Sequence, residues 1–208
     1  MNPWLTVPHD DYERHMKDTS VYQLQELNKI FKKNVERYKP KSILVLGCTG
    51  GNCFEHIDDR ITKKVIGVDI NKSYLDICRS RFKTKNYDLE LICCDMNEED
   101  LKIDTIDFIS CALFLEYVDC YRVLSQIKKM MRNISRLNIV IQRSNDRRFV
   151  SNTGVSSLNV LSSISKEVIE KELEDIFDML DMDIECKENI SLPNGKEFIT
   201  YICILKSI

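Results

Sequence analysis

Residues 42–52 read Ser-Ile-Leu-Val-Leu-Gly-Cys-Thr-Gly-Gly-Asn, an unbroken apolar run that stops at a glycine-rich turn. A strand that is apolar at every position needs cover on both faces, which is the habit of parallel sheets flanked by helices. From Gly47 to Gly51 the chain can continue neither as a regular strand nor as a regular helix. A helix is expected to resume over 52–59. A glycine turn at the carboxyl end of a first strand is where doubly wound sheets hold nucleotides, since glycine lets backbone approach a ligand closely.

The same alternation extends in both directions. Upstream, Val21, Leu24, Leu27, Ile30, Phe31 and Val35 fall at helical spacing, which predicts a helix over 20–38 with Ser20 as N-cap and Pro40 beyond its end. Downstream, strands are expected at 64–68, 88–94, 106–112 and 137–141. Helices are expected at 72–83, capped by Asn71, and at 119–133. Residues 143–163 are rich in Ser, Asn and Arg without periodicity, a long connection of the functional kind. A helix over 166–181 follows, then two strand-like runs, 183–192 and 197–205, around Asn194-Gly195, a strong hairpin signal. Together these predict an α/β fold: a doubly wound, mostly parallel seven-stranded sheet ending in an antiparallel hairpin, with helices on both faces. One domain is expected over 1–208. Residues 1–40 would form an N-terminal lid and helix, 41–142 a cofactor-binding half, and 143–208 the substrate-side connection, helix and hairpin.

Composition narrows the function. The chain has 208 residues, 43% hydrophobic and 30% charged, with a net charge of −3. That balance disfavours a nucleic-acid binder, which needs a basic excess to neutralise phosphates. No apolar run reaches membrane-spanning length, and the start has no basic, apolar leader, so a cytoplasmic protein is expected. The nine cysteines form no CxxC pair and have no histidine at zinc spacing, so no metal site is expected and the thiols read as small buried hydrophobes.

Two acids join the glycine turn. Asp69 ends the second strand 22 residues beyond Gly47, where a carboxylate can accept both hydroxyls of a ribose. Ile70 beside it can cover one face of an adenine. Asp95, before Met96, ends the third strand in the same crevice and can accept from an adenine amino group. A nicotinamide enzyme has less use for this second acid.

Glycine turn, Asp69 and Asp95 on three successive strand ends resemble the motif series of Rossmann-fold, class I S-adenosylmethionine-dependent methyltransferases, over about residues 40–141 plus the final hairpin. The stretch from Trp4 to His15 and the run LGCTGGNCFEHI are also similar to a bacterial group of small methyltransferases of unassigned substrate. The resemblance implies S-adenosylmethionine as cofactor. Gly47 and Gly51 would take its methionine end, Asp69 its ribose and Asp95 its adenine. Cys48, Thr49, Ile70, Met96, Ala112 and Leu113 complete the expected contacts. Two positions depart from the family pattern hDhGxGxG: the acid position is Val45 and the middle glycine is Thr49. The antiparallel hairpin also fits this family, whereas nicotinamide-binding domains keep their sixth strand parallel.

The family lines its transfer chamber just after the fourth strand, which here is Cys111-Ala-Leu-Phe-Leu-Glu-Tyr117. Glu116 or Tyr117 would meet the acceptor as base, orienting group or aromatic wall. The segment lacks the [DN]PP[YF] signature of base-amino methyltransferases, and no Pro-Cys dipeptide exists for the covalent cytosine mechanism. A metal-free, in-line methylation of a small-molecule acceptor is therefore the expected reaction. His15, three residues from Tyr12 and so on one helix face, is the candidate base. Arg143, Arg147 and Arg148 could form a fork for an anionic acceptor, while His56 reads as structural and His9 as a surface residue. A non-catalytic cofactor binder and a nicotinamide-dependent oxidoreductase are the alternative readings.

Overall fold

The computed structural model describes residues 2–145 and 148–206. Seven strands form one sheet: β1 Ser42–Leu46, β2 Lys64–Asp69, β3 Asp88–Cys93, β4 Phe108–Ala112, β5 Arg136–Arg143, β6 Met182–Ser191 and β7 Glu197–Leu205. Their order is β3-β2-β1-β4-β5-β7-β6. The pairs among β1 to β5 are parallel, and β7 runs antiparallel to both β5 and β6. Five helices accompany them: α1 His9–Lys17, α2 Gln23–Tyr38, α3 Lys72–Phe82, α4 Cys120–Lys129 and α5 Glu170–Met179.

β1 shows why the apolar run had to be covered on both sides. Leu44 and Leu46 enter one core with residues of α4 and α5, while Ile43 and Val45 enter the other with α1, α2 and α3. Successive side chains leave a strand on opposite faces, so one continuous apolar stretch serves both layers. At the rim, β6 carries Asp183, Glu185, Lys187 and Glu188 on a mostly exposed strand, and such charges discourage pairing with a further chain.

Several elements differ from the expected ones, each for a local reason. The stretch 52–59 holds only a short 3-10 turn, Phe54–His56, because Gly51 and Cys53 take left-handed φ values of 86° and 73° and Ile57 turns extended. α2 begins at Gln23 rather than after Ser20, whose hydroxyl donates to Asp18 instead of capping the helix. α5 starts at Glu170, later than 166, and α4 stops at Lys129, well short of 133. Part of the aperiodic connection forms a 3-10 stretch, Ser156–Ser163, that buries Leu158 and Leu161.

The order of strands reverses between β1 and β4, and their carboxyl ends open a crevice at this switch point. The amino-terminal segment, residues 2–18, roofs it. On one side it is fastened to α3 and its cap: Asn71 Nδ2 donates to Trp4 O at 3.0 Å, Tyr74 Oη to Val7 O at 2.7 Å, and Arg81 pairs with Glu13. On the other side Ser157 Oγ donates to Asp11 at 2.6 Å, and His15 Nδ1 meets Thr153 Oγ1 at 2.8 Å.

If these fastenings hold the roof, Tyr74→Phe should loosen it by about 1 kcal/mol, the worth of one such hydrogen bond. Amide exchange over residues 3–17 should then accelerate while that of β1 and β4 stays as in the parent. Unchanged exchange in that segment would mean that Tyr74 does not hold it.

Candidate active site

The crevice and its roof bound about 1020 Å³ of space not filled by atoms, open solvent at the mouth included. One wall follows the strand ends in order. Gly47 and Thr49 come from the turn after β1, Asp69 and Ile70 from the end of β2, Asp95 and Met96 from the loop after β3, and Ala112 and Leu113 from the end of β4. The opposite wall is Trp4, Tyr12, His15 and Met16 from the roof, with Tyr117, Gln142 and Phe149 from the sheet side.

Of the ten residues expected to touch a cofactor, two lie elsewhere. Cys48 is buried under the turn, its sulfur against Gly67. Gly51 packs against α3: a Cβ there would fall 2.5 Å from the Phe82 ring and 2.9 Å from Cys78 Sγ. Its glycine is required by helix packing and by a left-handed φ, not by the cavity. Gly47 does face the cavity, and a Cβ on it would meet Phe114 at 2.9 Å.

Asp69 is nearly fully buried, and each carboxylate oxygen accepts a backbone N–H: Oδ2 from Thr49 at 2.9 Å and Oδ1 from Asn71 at 2.8 Å. Burial nevertheless dominates and pushes its pKa up to about 6. Each oxygen has a second lone pair, so the group can still accept from a bound diol. Asp95 is half-buried and accepts from Asn97 N at 3.0 Å. Thr49 adopts a left-handed φ of 49°, and its buried Oγ1 has no partner. Leu113, at the β4 end of the same wall, has a φ of 51°. Non-glycine residues held this way cost about 1–2 kcal/mol each and gather at functional sites.

On the acceptor side, Tyr117 lines the cavity beside Trp4, their rings 5.1 Å apart and nearly perpendicular. His15 lines it too, and burial, then the Lys196 charge, lower its pKa, so the ring is neutral at pH 7. Glu116 is displaced from its expected place. It is fully buried behind the wall, with Oε1 accepting Gln142 N at 2.8 Å and Oε2 without a partner. Successive residues of a 3-10 turn project about 120° apart, so along Leu115–Tyr117 the two side chains leave in different directions.

Among the described residues no arginine fork forms. Arg143 pairs with Glu170 and Glu197, Arg148 lines a separate surface pocket, and Arg147 lies outside the described residues. His9, expected at the surface, is 6% exposed, its ring set edge-on to Tyr74 and against Gly50. His56 bonds Asn28 at 2.8 Å, a packing role as expected. Sequence reasoning overlooked Gln23, Gln142 and Phe149. Gln23 opens an otherwise ordinary amphipathic helix, and nothing in its spacing marks it.

Residues 43–136 match the family model described as a methyltransferase domain. This stretch of the chain is a methyltransferase domain. The architecture around it is that of class I, S-adenosylmethionine-dependent methyltransferases. The magnesium protoporphyrin IX methyltransferase of Synechocystis PCC 6803, solved with bound SAH, superposes with a TM-score of 0.70 at 13% identity, over 95% of this chain and 94% of that one. The cyclase SpnF shares the fold at a TM-score of 0.69 and 8% identity, over 88% of this chain and 83% of that one. At such identities the likeness is one of fold. In sequence, 117 residues are 27% identical to an uncharacterized protein of Methanocaldococcus jannaschii, 56% of this chain and 47% of that protein. The match thus spans about half the length of that relative. The antiparallel β7 of the methyltransferase domain's sheet is at odds with the nicotinamide alternative.

Glu116 makes a pH prediction. Burial raises its pKa to about 7, against about 4.3 in an unfolded chain. Between those values the folded protein binds the extra proton, so this group's contribution to stability rises as pH falls from 8 to 5. The total swing is at most about 3.7 kcal/mol. Glu116→Gln should flatten the pH dependence of the melting temperature over that range. A variant with the parent's slope would show that Glu116 titrates normally.

Proposed function

We propose that the protein methylates a small-molecule acceptor by direct in-line displacement without a metal, with S-adenosylmethionine as donor. The observation that carries this reading is one cavity in which Asp69 and Asp95, on successive strand ends, face an aromatic and imidazole roof across the switch point of the sheet.

The residues present fit that donor. Asp69 has lone pairs left for the ribose hydroxyls, Asp95 for the adenine amino group, and Thr49 Oγ1 is a buried hydroxyl still without a partner. No acid stands at the methionine end, because Val45 is turned into the apolar core. When bound, S-adenosylmethionine supplies a methyl group already activated by the sulfonium. The protein's task is then to align the acceptor and exclude water. Trp4, Tyr12 and Tyr117 form the dry wall for that purpose. In the tautomer whose Nδ1–H donates to Thr153 Oγ1, the neutral His15 has Nε2 left to take a proton from the acceptor. The described acids that line the cavity are Asp69 and Asp95, at the strand ends read as the adenosine side, while Glu116 is turned away behind the wall, which supports direct displacement over metal-assisted deprotonation.

In this reading residues 1–40 serve as roof and first helix, 41–142 hold the donor and 143–208 shape the acceptor side. No helix among the described residues is long and apolar enough to cross a membrane. That, the free thiols and the acidic balance support a cytoplasmic protein acting on a small molecule rather than on nucleic acid.

Calorimetric titration with S-adenosylhomocysteine tests the donor site. Asp69→Ala should weaken binding by about 1.5–3 kcal/mol, the range for hydrogen bonds to a charged group. Binding should also weaken as pH falls through about 6, where Asp69 takes up a proton. Affinity indifferent to both changes would remove the ribose assignment. His15→Ala should leave that affinity near the parent value and lower product release over an acceptor panel. Equal turnover would exclude His15 as the base.

A further inference from the structure

The acceptor end of the cavity carries a buried amide chain whose orientation is dictated by chemistry. Gln142 Nε2 lies 3.2 Å from Phe149 O and 3.1 Å from Ser144 Oγ. A carbonyl only accepts, so the Gln142 atom facing it must be the amide nitrogen, and Gln142 Oε1 must face the other way. There it meets Gln23 at 2.6 Å, so Gln23 must present its own Nε2. Gln23 Oε1 is left over, a fixed acceptor on a residue that is 5% exposed and lines the cavity. The surroundings disfavour charge of either sign, since an anion would share the cavity with Asp69 and Asp95 and a cation would face Lys196. Among the described lining residues there is no Lys or Arg to receive an anion. A cation would meet the field of the buried Lys196, which already helps keep His15 neutral. Trp4, Tyr12, Tyr117 and Phe149 supply ring surfaces on the same wall.

We infer that the acceptor is an uncharged aromatic hydroxyl or amine whose O–H or N–H donates to Gln23 Oε1, making Gln23 the residue that selects it. The inference rests on the methyl-transfer reading for its chemistry. The acceptor's heteroatom forms a bond to the methyl carbon as the sulfur–carbon bond breaks, and one proton passes to His15 Nε2 and then to water. An amine gives its second N–H while the first stays on Gln23 Oε1, and a hydroxyl turns its single proton from Gln23 Oε1 to His15. Selection arises because an acceptor without the donor leaves a buried carbonyl oxygen unpaired.

Calorimetry with three matched probes tests it, each run with and without S-adenosylhomocysteine: 2-naphthol, 2-methoxynaphthalene, which lacks the donor, and 2-naphthoate, which is anionic. The parent protein should bind 2-naphthol about tenfold more tightly than either of the others, the worth of one satisfied buried hydrogen bond. Gln23→Leu should reduce the preference over 2-methoxynaphthalene to about onefold, with S-adenosylhomocysteine affinity reporting that the variant is folded. Tightest binding of 2-naphthoate, equal binding of naphthol and its ether by the parent, or failure of naphthol to bind would each overturn the inference. A naphthol preference kept by folded Gln23→Leu would overturn the role of Gln23. Failure of S-adenosylhomocysteine to bind while the probe preference persists would instead overturn the methyl-transfer reading and leave the selection by Gln23 standing.

Discussion

One buried carboxylate organises the site. Asp69 accepts the Thr49 N–H of the turn after β1 and the Asn71 N–H at the start of α3. Asn71 in turn caps α3 through Ser73 N and holds the Trp4 carbonyl of the roof. Turn, helix and roof therefore hang on one side chain. Holding a carboxylate there is unfavourable in itself, as the raised pKa records, and the two backbone donors offset only part of the desolvation. A further donor from a ligand hydroxyl would recover more of it. The group that makes the turn rigid is thus also the group best placed to grip a diol.

The walls of the cavity show a second cost. Thr49 and Leu113, on opposite sides of the switch point, both sit in left-handed backbone that a glycine would take more easily. The surrounding structure compensates: Thr49 N is held by Asp69, and Leu113 N donates to Val140 O at 2.8 Å. Strain of this kind persists only where neighbours over-determine it. It fixes Thr49 Oγ1 and the end of β4 in place instead of leaving them to mobile loops. Glu116, though adjacent in sequence to Tyr117, takes part only from behind, by fixing the N–H of Gln142, whose side chain then orients Gln23.

Periodicity and strand-end chemistry were enough to read from the chain alone the sheet, its closing hairpin and most residues of the cavity wall at the strand ends, because these depend on local rules. An apolar run buries on both faces, a glycine breaks an element, and an acid at a strand end points into the crevice of a doubly wound sheet. Asp69, Asp95 and Gly47 follow directly. The misreadings occurred where neighbours decide. Gly51 looked like a ligand glycine and is a packing glycine, since only the tertiary structure brings Phe82 and Cys78 against it. Arg143 looked like an anion fork and is spent on Glu170 and Glu197, contributed by α5 and β7.

The sequence by itself determined the order of elements, the parallel sheet with its antiparallel end, and which strand ends carry acid. Those features are encoded by residue type and spacing within a few residues. Only the tertiary structure decided which side of a short turn faces the cavity, separating Tyr117 from Glu116. It also decided that the roof closes through Tyr74, Asn71 and Thr153, and that an amide chain from Phe149 to Gln23 ends in a free acceptor. The roof fastenings and the Gln142–Gln23 link join partners more than 50 residues apart in the chain, and a hydrogen bond's direction is settled only when the whole chain of donors and acceptors is in place.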